Sequence, residues 1–135
     1  MREKERFPFA FNSDCRGQTV FRPVVAGVLL NQPQVPVTLP TFDEVIGQPG
    51  VTLATYNDYI LSLIQPGRLN VFTIHAEVEG IVYRDLFERF VQKARAQGHA
   101  FTPLGTLLPA ASAILPGCIA KGDVPGRDGW VAVQK

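Results

Sequence analysis

Three ionisable side chains fall within five residues of the segment FTIHAEVEG, residues 72–80: His75, Glu77 and Glu79. Imidazole is the side chain that gives and takes protons around neutral pH. A histidine closing an apolar, strand-like run is placed for that work, provided a second group orients it. SDCRG, residues 13–17, offers one in Asp14, followed by Arg16 and a glycine turn. A carboxylate on one ring nitrogen fixes the tautomer and stabilises the protonated ring, which readies the other nitrogen to donate. Asp14 and His75 each end a predicted strand, and strand ends are where α/β folds bind ligands. Neighbouring strands would bring the two to one rim. Glu77 and Glu79 alternate with His75, so on a strand all three share a face, and a metal site built from them is geometrically possible. Structural readings stand beside these: a hydrogen-bonded histidine, an Asx-turn at Asp14, and solvated glutamates.

Other reactive side chains say less. Cys15 lies beside Arg16, whose charge would lower a thiol pKa, but a buried structural cysteine is the favoured reading. Ser13 lacks a GxSxG context. His99 follows a helix end and reads as surface. HExxH, paired CxxC, P-loop and dinucleotide fingerprints are all missing. Cys15 and Cys118 are too few for a disulfide framework and indicate a reducing compartment.

The elements that must position these residues follow from periodicity. Residues 2–6 are charged and helix-prone until Phe7-Pro8. FAFNSD, residues 9–14, reads as a short strand. Residues 20–40, with Pro23, Pro33, Pro36 and Pro40, read as irregular apart from an extended piece at 35–39. Thr41 ahead of Glu44 has capping-box spacing and predicts a short helix over 41–47. Tyr56, Tyr59, Ile60, Leu63 and Ile64 recur at helical spacing until Pro66-Gly67 stops them. LNVFTIHA, residues 69–76, is rich in β-formers and predicts the strand that ends near His75. A helix over 82–97 places Val82, Leu86, Phe87, Phe90, Val91 and Ala94 on one side, with Gly98 as its cap. AFTPL, residues 100–104, predicts a strand, and TLLPAASAIL, residues 106–115, a broken helix. The tail from Pro116 reads as turns, with Trp130 folding back as an anchor. Helices alternating with strands predict an α/β layer with some parallel pairing.

Composition bounds the function. The 135 residues fit one domain, 1–135, and 46% apolar with 19% charged residues is ordinary for a globular chain. A net charge of +1 supplies no field for nucleic acid. No apolar run reaches the ~20 residues of a membrane span, and no signal peptide opens the chain.

Four segments occur in one order: NSDCRG at 12–17, PVTLPTFDEVIG at 36–47, TIHAEVEG at 73–80 and FTPLGTLL at 101–108. Together they resemble the 4-deoxy-4-formamido-L-arabinose-phosphoundecaprenol deformylases of the polysaccharide-deacetylase superfamily, from Lys4 to GRDGW at 126–130. The resemblance implies the C-terminal part of a distorted (β/α) barrel. Full members of the superfamily remove an N-acyl group with one divalent metal, expected to be zinc. An aspartate and two histidines hold the metal, which polarises the amide carbonyl and activates water. A second aspartate acts as base, and a late histidine protonates the leaving amine. By motif position His75 matches that histidine, and Asp14 the carboxylate that tunes it. The substrate implied is a lipid-linked amino sugar, with Arg16 expected at its phosphate and Glu77 and Glu79 at its sugar. The role implied is lipid A modification and polymyxin resistance, in the cytoplasm at the inner face of the bacterial inner membrane.

In the family pattern the metal ligands and the base precede NSDCRG, so the resemblance covers only the C-terminal half. It therefore implies no cofactor in this chain and no activity alone, and leaves three situations open: a truncated or frameshifted gene, a two-piece enzyme completed by an N-terminal half as a separate chain, or an incomplete gene call. Two rivals stand beside it: a non-catalytic sugar- or lipid-phosphate-binding module, and a small metalloenzyme using His75, Glu77 and Glu79. Half a barrel leaves strand edges unpaired, so self-association is expected.

Overall fold

Two residues at positive φ set the first hairpin of the computed structural model, which describes residues 1–135. Ala26 (φ 49°) and Gly27 (φ 78°) make the tight turn whose twist suits a two-residue hairpin. It joins β1 (Arg22–Val25) to β2 (Val28–Leu29). Beside β1 runs β3 (Pro116–Asp123), parallel, with Val24 opposite Cys118. β4 (Trp130–Gln134) returns antiparallel along β3, with Asp123 opposite Trp130. The result is a four-stranded mixed sheet in the order β2-β1-β3-β4 within a mixed α/β fold. At the β1–β3 join only glycine fits position 117, because a Cβ there would lie 2.6 Å from Cδ2 of the buried Phe21.

Three helices form the other layer: α1 (Phe42–Val45), α2 (Tyr56–Ser62) and α3 (Arg84–Ala96). The Thr41–Glu44 capping box opens α1 as its spacing predicts. Along α3, Leu86, Phe90 and Ala94 are buried, and they pack with Phe42, Val45, Val51, Tyr56, Ile60 and Leu61 into one core. The α3 helix ends in a Schellman motif: His99 N–H donates to the Ala94 carbonyl, Gly98 N–H to that of Arg95, and Gly98 has φ 86°. Asn57 Nδ2 donates to the Leu86 carbonyl at 3.0 Å and ties α2 to α3. No helix is long and apolar enough to cross a membrane.

Several expectations are corrected. The irregular reading of 20–40 missed β1 and β2. Pro23 is tolerated in β1, where its carbonyl accepts the Leu30 N–H. The tail is the β3–β4 hairpin rather than a run of turns, and Trp130 is 59% exposed, lying 4.4 Å from Lys121 Nζ instead of anchoring the tail. FAFNSD forms a single bridge, Asn12 to Gln34, and not a strand. AFTPL leads into a 3-10 turn at Leu104–Leu107, and a second such turn, Ala111–Ala113, takes the place of the broken helix. LNVFTIHA is not a strand either. The Val71 carbonyl accepts N–H bonds from Thr38 and Leu39, but Phe72, Thr73 and Ile74 make no backbone hydrogen bond. Strand-forming residues become a strand only beside a partner, and from Phe72 to Ile74 this segment has none. Finally, residues Val78–Val82 form a π-helical turn ahead of α3. Its i→i+5 bonds shift the angular position of each residue, so Val82 leaves the apolar stripe and is 69% exposed.

Candidate functional site

His75 lies at the end of the unpaired segment, where the chain turns into the π-helical stretch. Its backbone N–H donates to Glu79 Oε2 at 2.7 Å. Its carbonyl accepts the N–H groups of Val78 and Glu79. The backbone of His75 is therefore held from both sides, while its ring is 38% exposed. Ring Nδ1 faces Asp43 Oδ1 at 3.9 Å, across from the first turn of α1.

Partial burial pushes the Asp43 carboxyl up. The Thr41 hydroxyl, its own backbone N–H and the charges of His75 and Arg127 outweigh that effect and hold it below the usual carboxylate range. Asp43 is thus kept ionised beside the imidazole. Behind the pair, Tyr56 is buried, and burial first, then the charges of Glu79 and Asp43, push its hydroxyl well above the usual range. Tyr56 is a neutral wall.

Glu79 is 3% exposed, so it is an internal strut of the turn. Its Oε1 is buried and unpartnered, as is the Tyr56 hydroxyl. Glu77 is exposed on the opening residues of that turn. The expected shared strand face of His75, Glu77 and Glu79 is therefore absent, because 76–82 coil rather than extend. No group of three or more His, Cys, Asp or Glu side chains is arranged to hold a metal ion. The divalent metal that the resemblance implies does not fit the residues of this chain.

Asp14 sits elsewhere in the hydrogen-bond network. Lys4 Nζ pairs with its Oδ1 at 2.5 Å, and Gln34 Nε2 reaches its Oδ2 at 3.4 Å. Gln34 Oε1 also accepts the Asp14 N–H at 2.9 Å. No hydrogen bond or ion pair joins Asp14 to His75. Arg16 is engaged as well: Nη2 lies 2.6 and 2.5 Å from the two oxygens of Glu44, and Nη1 donates to the Leu39 carbonyl. Glu44 is 1% exposed and also meets Arg127 and the Thr41 N–H. Cys15 is buried, and that burial, followed by the charge of Asp14, pushes its thiol up to about 12, so it is no nucleophile.

The sequence reasoning missed Asp43, and it saw Glu44 only as a helix cap. Both lie in TFDEVIG, where the capping spacing is legible, but which acid turns inward depends on Arg16, 28 residues away along the chain.

No family model matches the chain. It is 42% identical over 135 residues to the probable 4-deoxy-4-formamido-L-arabinose-phosphoundecaprenol deformylase ArnD of Shewanella sediminis (strain HAW-EB3). It is also 42% identical, over 134 residues, to the protein of that name from Wigglesworthia glossinidia brevipalpis. These alignments cover 99% and 98% of this chain but 43% and 46% of the relatives. The chain therefore matches the C-terminal half of these probable deformylases and spans less than half their length.

Proposed function

We propose that this chain is the proton-donor portion of a metal-dependent deformylase acting on 4-deoxy-4-formamido-L-arabinose linked to undecaprenyl phosphate. One observation carries the reading: the similarity to two probable deformylases runs through 99% and 98% of the chain and stops short of the rest of their length. The helices and the sheet of this chain would form the C-terminal part of a distorted barrel, working at the inner face of the bacterial inner membrane. His75 is the general acid that protonates the amine as the formyl group leaves. Its exposed ring and doubly held backbone suit that task. The metal that would polarise the formyl carbonyl has to come with residues outside this chain, either in a longer polypeptide or in a separate N-terminal half. Of the other residues, exposed Glu77 keeps its proposed place facing the sugar, while Asp14 is paired with Lys4 and Gln34 and Arg16 and Glu79 are internal supports rather than contacts to phosphate or sugar.

A proton donor contributes about 10²–10⁴-fold, far below the rate enhancement of a complete enzyme. The purified chain is therefore expected to release no formate from a formamido-sugar lipid. Formate release should appear when it is mixed with a polypeptide spanning the remainder of the Shewanella relative, and disappear with His75→Ala. Formate release by the chain alone, or activity in the mixture indifferent to His75, overturns the proposal. A binding module without turnover is a second reading. Binding of the lipid-linked sugar with no formate release from the mixture would select it.

A further inference from the structure

We propose that the cleft at the far end of the His75 turn binds the isoprenoid phosphate of the substrate, with Leu53, Ile81 and Val82 against the prenyl chain and Arg84 and Arg89 at the phosphate. The inference deepens the proposed function and rests on its lipid-linked substrate.

A substrate phosphate has lost the partner that the sequence assigned to it, because Arg16 is held by the buried Glu44. Two other guanidiniums are free to take its place. Arg89 is exposed, and no carboxylate comes within ion-pair reach of it. Arg84 meets only Asp85, at 3.7 Å, with the two side chains 74% and 77% exposed, and such a pair holds its members weakly. Both arginines border a cleft of about 440 Å³ whose apolar wall is Leu53, Ile81, Val82 and Leu86. Ile81 and Val82 lie 74% and 69% exposed on that wall. The turn that presents them is firmly built. The Val82 and Tyr83 N–H groups donate five residues back, to the carbonyls of Glu77 and Val78. The Tyr83 ring packs on buried Phe42 with centroids 4.8 Å apart. Turns of this π-helical kind recur at functional sites. His75 opens the same turn and is tied into it through Glu79, so the acid and the cleft share one held piece of backbone. An apolar wall flanked by two guanidiniums matches an apolar chain carrying one phosphate. It matches a charged bilayer surface less well, since a net charge of +1 supplies no broad attractive field.

The test is titration of the methyl-labelled 135-residue chain with geranyl phosphate, a short and soluble prenyl phosphate, followed by NMR. Saturable shifts are expected at the Leu53, Ile81 and Val82 methyls. Geraniol and inorganic phosphate, the two halves of the probe, should each bind at least about tenfold more weakly, the scale of one charge-assisted hydrogen bond. Arg84→Gln with Arg89→Gln should reduce geranyl phosphate to the level of geraniol, and Ile81→Ser with Val82→Ser should weaken both prenyl probes alike. All four side chains are exposed, so the variants should keep the wild-type far-ultraviolet spectrum. Shifts confined to other methyls, or an affinity indifferent to the arginine pair, overturn the proposal. So does binding of phosphatidylglycerol vesicles at these residues with no saturable response to geranyl phosphate, which would make the face a bilayer surface. Methyl shifts that follow protein concentration and ignore the probe would assign it to a second copy, with the same consequence. The titration reads binding and not formate. A chain that binds the probe here but never yields formate in the reconstituted mixture sinks the deformylase reading alone. A working deformylase whose arginine variants keep the wild-type KM sinks the cleft alone.

Discussion

Replacing Arg16 by methionine removes the guanidinium that neutralises Glu44 and keeps most of the aliphatic volume. In the native fold Glu44 is 1% exposed, and Arg16 Nη2 sits 2.6 and 2.5 Å from its two oxygens. After the substitution the carboxylate keeps only the Thr41 N–H at 2.9 Å and the half-exposed Arg127 at 3.4 Å. Stripping one partner from a buried pair typically costs about 3–5 kcal/mol. The two remaining contacts place this case at the lower end, about 3 kcal/mol. With a urea m-value of roughly 1–3 kcal/mol/M for a small domain, the unfolding midpoint should fall by about 1–3 M. The assay is urea unfolding followed by Trp130 and tyrosine fluorescence. Arg16→Met/Glu44→Leu should recover most of the loss, because apolar replacement of a whole buried pair is close to neutral. A loss under about 1 kcal/mol for the single variant would refute the reasoning, since an exposed pair is worth no more than that. So would a double variant less stable than either single one. The same measurement bears on function, since a guanidinium committed to Glu44 has little left for a substrate phosphate. In a reconstituted enzyme, loss of Arg16 should register as lost stability before it registers in KM.

The Cys15 thiol is raised from 9.0 to about 12, and a group with a raised folded pKa stabilises fully below its unfolded value. Stability should therefore hold to about pH 9 and decline as pH rises toward 12, read as a falling urea midpoint, and a flat profile would count against the burial of Cys15. Phe90 is 3% exposed and packs with a tilted ring against Phe72, centroids 5.3 Å apart, so Phe90→Ala should cost about 3–5 kcal/mol, checked by thermal melting. Ile81 and Val82 are 74% and 69% exposed, close in sequence to a segment with no backbone partners. The chain should self-associate, and Ile81→Ser with Val82→Ser should weaken that; a concentration-independent monomer in sedimentation velocity would contradict it.

What the sequence made legible was local. The Gly98 cap, the Thr41–Glu44 box and the α3 stripe from Leu86 to Ala94 are decided within one or two turns and are present, while α2 buries Tyr56 and Ile60 as expected but ends at Ser62, before Leu63 and Ile64. What it hid was relational. LNVFTIHA has strand composition, yet a strand is a pair, and nothing in its own residues reports whether a neighbour is there. Pro23 and Pro33 made 20–40 look irregular, while the hairpin is set by Ala26-Gly27 and its place in the sheet by Gly117, far along the chain. At the site, His75 was found because an imidazole at the end of an apolar run is conspicuous. Its carboxylate was assigned to Asp14 on the assumption that two strand ends adjoin, and the structure surrounds those ends with other partners.

The position of His75 then acquires a particular sensitivity. From Phe72 to Ile74 the backbone has no hydrogen bonds. The imidazole is therefore placed by the Glu79 strut on its C-terminal side and by Phe72 packing on Phe90 on its N-terminal side. A strand added along 72–74 would fix the same backbone from its other end and would set the register of His75 at the moment of pairing. On the proposed function, with the metal-bearing residues on that added polypeptide, pairing along 72–74 would fix the register of His75 and bring it to the reacting group in one event.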